Sequence, residues 1–122
     1  MIIALNHSSE IPIYMQIRNQ IVLGISDGRL VPGEQLPTVR ALADEIGINA
    51  MTVSKAYQIL KQDGYIYADR RNGARVRDTF EQQSGLSQNH KDLLKQIISE
   101  AKISGLSREA FLIECEALFE ED

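Results

Sequence analysis

The sequence predicts a mainly α chain with one small β-hairpin (α+β): three helices and the hairpin first, then a short helical hairpin of two more. Three observations carry this. Apolar residues recur at i, i+3, i+4 and i+7 in separate stretches, the period of helices with one buried face. The stretch "GYIYADRRNGARVRD" abandons that period for alternation around an Asn-Gly pair, a strong hairpin signal because both residues tolerate positive φ. The charge balance also changes along the chain. Residues 1–78 hold nine Lys/Arg and eight Asp/Glu, whereas residues 79–122 hold four and nine. The organisation expected is therefore a domain over 1–78 and an appended segment over 79–122.

Taken in order, the first helix starts at Pro12, whose fixed φ and missing N–H suit a first helical turn. Ile13, Ile17, Ile21 and Ile25 share its apolar side, joined by Tyr14, and Asp27-Gly28 ends it. In the connector "RLVPGEQLPT", Pro32-Gly33 signals a turn and Pro37 holds Leu36 extended, which favours a short strand near Gln35-Leu36. Thr38 is placed to cap a second helix whose buried face is Val39, Leu42, Ala43 and Ile46. Gly47 stops it by taking the left-handed conformation. Asn49 then caps a third helix with the stripe Val53, Ala56, Tyr57 and Leu60, ended by Asp63-Gly64. Tyr65–Tyr67 and Ala74–Val76 read as strands, with Arg70, Arg71, Asn72 and Gly73 at the tip.

Composition bounds the function. With 122 residues, 43% hydrophobic and 25% charged, the chain has the make-up of an ordinary globular protein. The N-terminal apolar run is too short for a signal peptide or a membrane span, so no membrane role and a cytoplasmic location are expected. The single cysteine excludes an internal disulfide framework. There is no Walker loop, GxSxG, HExxH or Cys pair, and His7, His90 and Cys115 lack metal-ligand spacing. No enzyme, metal or cofactor is expected. Cys115 lies on an apolar stripe and reads as a packing residue, with a redox sensor as the alternative.

The net charge of −4 hides a local basic region. Within 49–77, Lys55, Lys61, Arg70, Arg71, Arg75 and Arg77 face only Asp63 and Asp69. Two short amphipathic helices joined by a glycine turn are a helix-turn-helix candidate; on pattern alone any αα-corner fits equally well. The basic hairpin that follows turns the pair into a winged helix. With Val53 directed inward, Met51, Ser54, Lys55 and Gln58 fall on the opposite side of the third helix. In helix-turn-helix docking those positions enter the major groove. There lysine meets guanine or phosphate oxygens, glutamine and serine bond base edges, and methionine contacts a thymine methyl. Three function classes stay open: a DNA-binding regulator, a protein-interaction module, and an RNA-binding winged helix. Stacking aromatics suited to single-stranded RNA are scarce on this face.

Over residues 12–76 the segments "PIYMQIRNQI" and "GRLVPGEQLPTVRALADEIGINAMTVSKAYQILKQDGYIYADRRNGARV" resemble GntR-family winged-helix transcription factors, in particular the short YtrA-like subfamily. The resemblance implies DNA contacts by Arg40, by residues 50–55 and by the wing tip. The full candidate set is Thr38, Arg40, Asn49, Met51, Thr52, Ser54, Lys55, Gln58, Arg70, Arg71, Asn72, Gly73 and Arg75. At Ala50 and Ser54 the chain departs from relatives that carry arginine, so those base contacts do not carry over. Arg40 has an alternative of its own, an i, i+4 ion pair with Asp44.

In the tail, a helix from about Ser87 to Lys102 aligns His90, Leu94, Ile97, Ile98 and Ala101, and Gly105 ends it. A last helix starts at Ser107, with Leu106 and Phe111 as a hydrophobic staple. Leu112, Cys115, Leu118 and Phe119 continue on one side. Two helices cannot bury both stripes unaided. They pack either on the winged domain or on a second copy, and the resemblance implies a homodimer. The dimerisation candidates are Leu94, Ile97, Ile98, Ala101, Phe111, Leu112, Cys115, Leu118 and Phe119. The expectation is a dimeric regulator, a repressor rather than an activator, on an inverted-repeat operator of double-stranded DNA. By resemblance the target is an adjacent transporter operon. The short tail leaves little room for a larger effector-binding domain, and no effector is read from the sequence.

Overall fold

A computed structural model describes residues 1–69, 71 and 73–121. Its elements are α1 (Ile13–Ser26), α2 (Val39–Ile46), α3 (Ala50–Gln62), β1 (Ile66–Asp69), β2 (Gly73–Val76), α4 (Gln88–Ile103) and α5 (Arg108–Glu120). They fall into two compact units, Met1–Phe80 and Glu81–Asp122. Phe80 belongs to the first, its ring tilted against that of Tyr65 at 6.4 Å.

The core of the first unit draws on every element. Ile17 and Ile21 come from α1, Leu42 and Ala43 from α2, and Val53, Ala56, Tyr57 and Leu60 from α3. Leu30 and Leu36 of the connector and Ile66, Ala74 and Val76 of the hairpin complete it. Ile13, Ile25, Val39 and Ile46, at the ends of the expected stripes, are only half-buried. The N-terminal segment, which the sequence left unassigned, packs Met1, Ile3 and Leu5 against this core. Two α1 side chains hold it in place. Gln20 exchanges hydrogen bonds with the backbone of Ala4, and buried Gln16 does the same with Asn6 at 2.9 Å.

The helix ends follow their capping chemistry. Thr38 Oγ1 accepts from the Ala41 N–H at 3.1 Å, and Asn49 Oδ1 accepts from the Met51 N–H at 2.7 Å. Gly47 sits at φ 69°. At the end of α3 the Tyr65 N–H reaches back to the Leu60 carbonyl and the Gly64 N–H to Lys61, a Schellman closure. That closure takes Tyr65 into the helix cap, so β1 starts one residue later than expected and runs on to Asp69.

The hairpin register is Ile66↔Val76, Tyr67↔Arg75, Ala68↔Ala74 and Asp69↔Gly73. Gly73, expected at the tip, is the first residue of β2 at φ 81°. The connector strand is present as an antiparallel bridge, Gln35↔Arg75. It is reinforced by Leu36 N–H to Ala74 O at 2.8 Å and Val76 N–H to Glu34 O at 2.9 Å.

In the second unit Ser87 and Ser107 cap their helices through their hydroxyls. Neither helix holds a buried residue. Leu94, Ile98, Ala101, Phe111 and Cys115 are half-buried, whereas Ile97, Leu112, Leu118 and Phe119 are exposed, Phe119 at 92%. Leu93, Ile103 and Ile113 add further exposed apolar surface that the sequence reading omitted. No helix among the described residues is long and apolar enough to cross a membrane.

Candidate nucleic-acid interface

The rotation of α3 is fixed by its buried stripe. With Val53 at 0% exposure and Leu60 at 0%, a turn of about 100° per residue puts Met51, Lys55, Gln58 and Gln62 on the far side. Met51 is 80% exposed, and Lys55 and Gln58 are exposed with it. Thr52 and Ser54 flank this row, half-buried. Asn49 is exposed, its side-chain oxygen committed to the cap. Met51 and Lys55 therefore stand toward the N-terminal end of α3, where the helix dipole favours phosphate.

The start of α2 is joined to this helix by one hydrogen bond. The Tyr57 hydroxyl donates to the Pro37 carbonyl at 2.7 Å. The ring is only 2% exposed, and burial pushes its phenol above the ordinary value of 10.0, with Glu45 adding a smaller push. Sequence periodicity marked Tyr57 only as an apolar position and missed this tether. Thr38 and Arg40 follow Pro37 and are exposed. Among the described residues Arg40 makes no ion pair, so the alternative with Asp44 is not formed.

The wing lies beside the same point. A Cβ on Gly73 would stand 3.7 Å from the Thr38 methyl, so the wing base adjoins the start of α2. Arg71 is exposed, its backbone N–H held by Asp69 Oδ1 at 3.0 Å. Arg70 and Asn72 lie outside the described residues. The α2 start, the middle of α3 and the wing base thus meet around Pro37 and Thr38.

Arg75, one of the expected DNA contacts, is engaged within the first unit. Its Nε donates to Asp69 Oδ2 at 2.8 Å and its Nη1 to the Gly33 carbonyl at 3.0 Å. It braces the hairpin to the connector, and two of its donors are spent on the protein. The register explains this: Asp69 and Arg75 are diagonal neighbours on the face of the hairpin away from the core. An assigned register would have exposed the pair in advance.

Two of the acids in this region are paired within the first unit, whereas Asp44 and Glu45 of α2 are exposed. Asp63 is engaged by Arg18 at 3.3 Å, and Arg18 lies over the Tyr65 ring at 5.6 Å. Asp69 is engaged by Arg75. Among the described residues Arg40, Lys55, Lys61, Arg71 and Arg77 make no ion pair with a carboxylate. Arg40, Lys55 and Arg71 are thus the cations that the α2 start, the α3 row and the wing leave unpaired with a carboxylate among the described residues. Lys55 has one partner the sequence did not suggest, the Tyr14 ring, 4.0 Å from its Nζ to the centroid.

Comparison with known proteins follows the same boundaries. Residues 13–76 match the family described as "Bacterial regulatory proteins, gntR family". The HTH-type transcriptional repressor YtrA of Bacillus subtilis is 36% identical over 109 residues, covering 88% of this chain and 84% of that protein. The HTH-type transcriptional regulator Rv1152 of Mycobacterium tuberculosis is 40% identical over 62 residues, 51% of each chain, so the match spans about half of that relative. Among solved structures, a transcriptional antiterminator from Listeria monocytogenes EGD-e superposes with a TM-score of 0.85 at 28% identity, covering 100% of this chain and 92% of that one. YtrA from Sulfolobus acidocaldarius, a GntR-family transcription factor, gives a TM-score of 0.60 at 32% identity, with 97% of each chain covered. The AraR(DBD) in complex with operator ORX1 gives 0.53 at 28% identity, over 60% of this chain and 90% of that one.

Proposed function

The chain belongs to the GntR family of bacterial regulatory proteins and is a non-enzymatic, DNA-binding transcription regulator of the YtrA-like kind; from that premise we propose that it is a dimeric repressor that reads an inverted-repeat operator. The observation that carries this reading is the acid-free row Met51, Lys55 and Gln58 on α3, with Arg40 and Arg71 exposed on the elements that adjoin it. Lys55, Gln58 and Met51 supply hydrogen-bonding and methyl-contacting groups suited to base edges. Arg71 supplies a phosphate contact, and Arg40 reaches a base edge or a phosphate.

The dimer reading rests on the second unit. An unpaired pair of helices exposing Leu93, Ile97, Ile103, Leu112, Ile113, Leu118 and Phe119 leaves apolar surface in water. A second copy covers it with a two-fold interface in which each patch meets its own equivalent. A two-fold protein reads two half-sites related by the same axis. The repressor sense is supported by the similarity to the B. subtilis repressor YtrA. A transporter operon beside its own gene is the target class that the resemblance implies, and the cytoplasm, where that DNA lies, is the proposed location.

Selection of bound fragments from a random duplex pool by the full chain tests this reading. Enrichment of an inverted repeat is the expected result. Recovery of no common sequence, or preference for single-stranded RNA over duplex, would overturn it.

A further inference from the structure

We propose that Tyr14 of α1 is a positioning residue for DNA reading: its ring holds the Lys55 ammonium in place on the exposed side of α3. The proposal rests on the DNA-binding reading above and goes beyond it, because it gives a role in recognition to a helix outside the helix-turn-helix.

The geometry is specific. Lys55 Nζ lies 4.0 Å from the centroid of the Tyr14 ring, well inside the range at which a ring face attracts a cation. Lys55 is otherwise exposed and, among the described residues, makes no ion pair. The ring itself is well anchored. Tyr14 is half-buried against the core, one turn before Arg18 and three residues before fully buried Ile17. Arg18 ties the same side of α1 to the far end of α3 through Asp63 at 3.3 Å. Two tethers, one at Lys55 in the N-terminal half of α3 and one at its C-cap Asp63, therefore join α1 to the helix that carries Lys55.

The physical consequence concerns order rather than charge. A free lysine carries a compact charge on a four-carbon stem with several rotors, and holding it at an interface costs conformational entropy. A ring that already confines the ammonium removes part of that cost before DNA arrives. An ammonium has three donors, and a ring face occupies only one side of it, so the group can still donate to a phosphate or a guanine. Carboxylates are the usual partners for such tethering. Here one would neutralise the charge that DNA must meet, whereas a ring leaves it intact.

The test uses the full chain, a duplex selected from a random pool with that chain, and a scrambled duplex of equal length. Tyr14→Leu keeps apolar bulk and removes the π face; Tyr14→Phe keeps the face and removes the hydroxyl; Lys55→Met removes the cation. Tyr14→Leu should weaken binding to the selected duplex roughly three- to tenfold, the order expected when one lysine side chain must be immobilised on binding. Tyr14→Phe should restore the affinity, and Tyr14→Leu should cost nothing more once Lys55→Met is present. In heteronuclear NMR spectra the Lys55 ε-methylene protons should be shifted upfield by the ring in the wild type and in Tyr14→Phe, and not in Tyr14→Leu. Circular dichroism of each variant separates these effects from unfolding, and the single change Lys55→Met tests the pair without altering α1. Equal losses in Tyr14→Leu with and without Lys55→Met, equal losses in Phe and Leu, or no upfield shift in the wild type would overturn the proposal alone. Failure of the wild type to prefer the selected duplex would overturn the DNA-binding reading beneath it.

Discussion

Replacing Gly47 with alanine isolates the conformational cost of the turn that sets α2 against α3. Gly47 caps α2 at φ 69° and ψ 34°, and an added Cβ would meet nothing within 4 Å. No clash contributes, so the whole effect lies in the backbone. A left-handed conformation costs an L-residue about 1–2 kcal/mol. Alanine also restricts the unfolded chain, which returns roughly 0.4–1 kcal/mol. The net loss is therefore about 0.5–1 kcal/mol, near the middle of those ranges. For a domain of this size each kcal/mol lowers Tm by roughly 4–8 °C. Gly47→Asn should lose less, because asparagine tolerates this region, and Gly47→Val more, because a β-branched side chain does not. Urea unfolding followed by circular dichroism, with an unchanged m-value, reads the series in order. A Gly47→Ala chain as stable as the wild type would refute the reasoning, since it would mean that the turn does not require positive φ.

Three further outcomes follow. Tyr57→Phe removes the hydroxyl bonded to the Pro37 carbonyl and should cost roughly 0.5–1.5 kcal/mol in urea unfolding. Because folding raises the Tyr57 value above 10.0, its stabilising share is complete below that pH and is lost as pH rises beyond it. Tyr57→Phe should remove this part of the alkaline fall in stability, and an unchanged pH profile would contradict it. Arg40→Ala, at an exposed side chain with no ion pair among the described residues, should weaken operator binding by roughly 1–3 kcal/mol, the worth of a base-edge contact, with Tm unchanged; full affinity in a binding titration would contradict it. Truncation after Phe80, at the boundary of the first unit, should leave a folded monomer by sedimentation. That monomer should bind the inverted repeat about 10²–10⁴-fold more weakly than a linked pair, and a truncation that still dimerises would refute the assignment of the tail.

Much of the fold could be read from local rules because the elements obey them in turn. Thr38, Asn49 and Ser107 each cap the helix expected of them, and Ser87, expected only to open its helix, caps it too, since a side-chain oxygen beside free N–H groups is a purely local device. The stripes on α2 and α3 were equally legible, because Val53 and Leu60 can be buried only if Met51 and Lys55 are not. What escaped depends on partners distant in sequence. Tyr57 and Pro37 are 20 residues apart and Gly33 and Arg75 are 42 apart; no periodicity connects them. The same holds for Tyr14 and Lys55, which meet only because α1 packs across α3. The N-terminal segment was invisible for a related reason. Its order comes from Gln16 and Gln20 side chains, and glutamine on a helix usually reads as solvated surface. The interface was therefore legible as a row of exposed residues, while the struts that aim it were not.

DNA reading by this surface is measured by fluorescence anisotropy of the full chain on its selected duplex and on a scrambled one, at salt from about 50 to 200 mM. Tighter binding to the selected duplex, by at least about 10³-fold as for specific complexes in general, is the result predicted. Both affinities should fall with salt, with a slope near −0.9 for each phosphate neutralised. Equal affinity for the two duplexes, or an affinity indifferent to salt, would contradict the claim that this surface reads DNA.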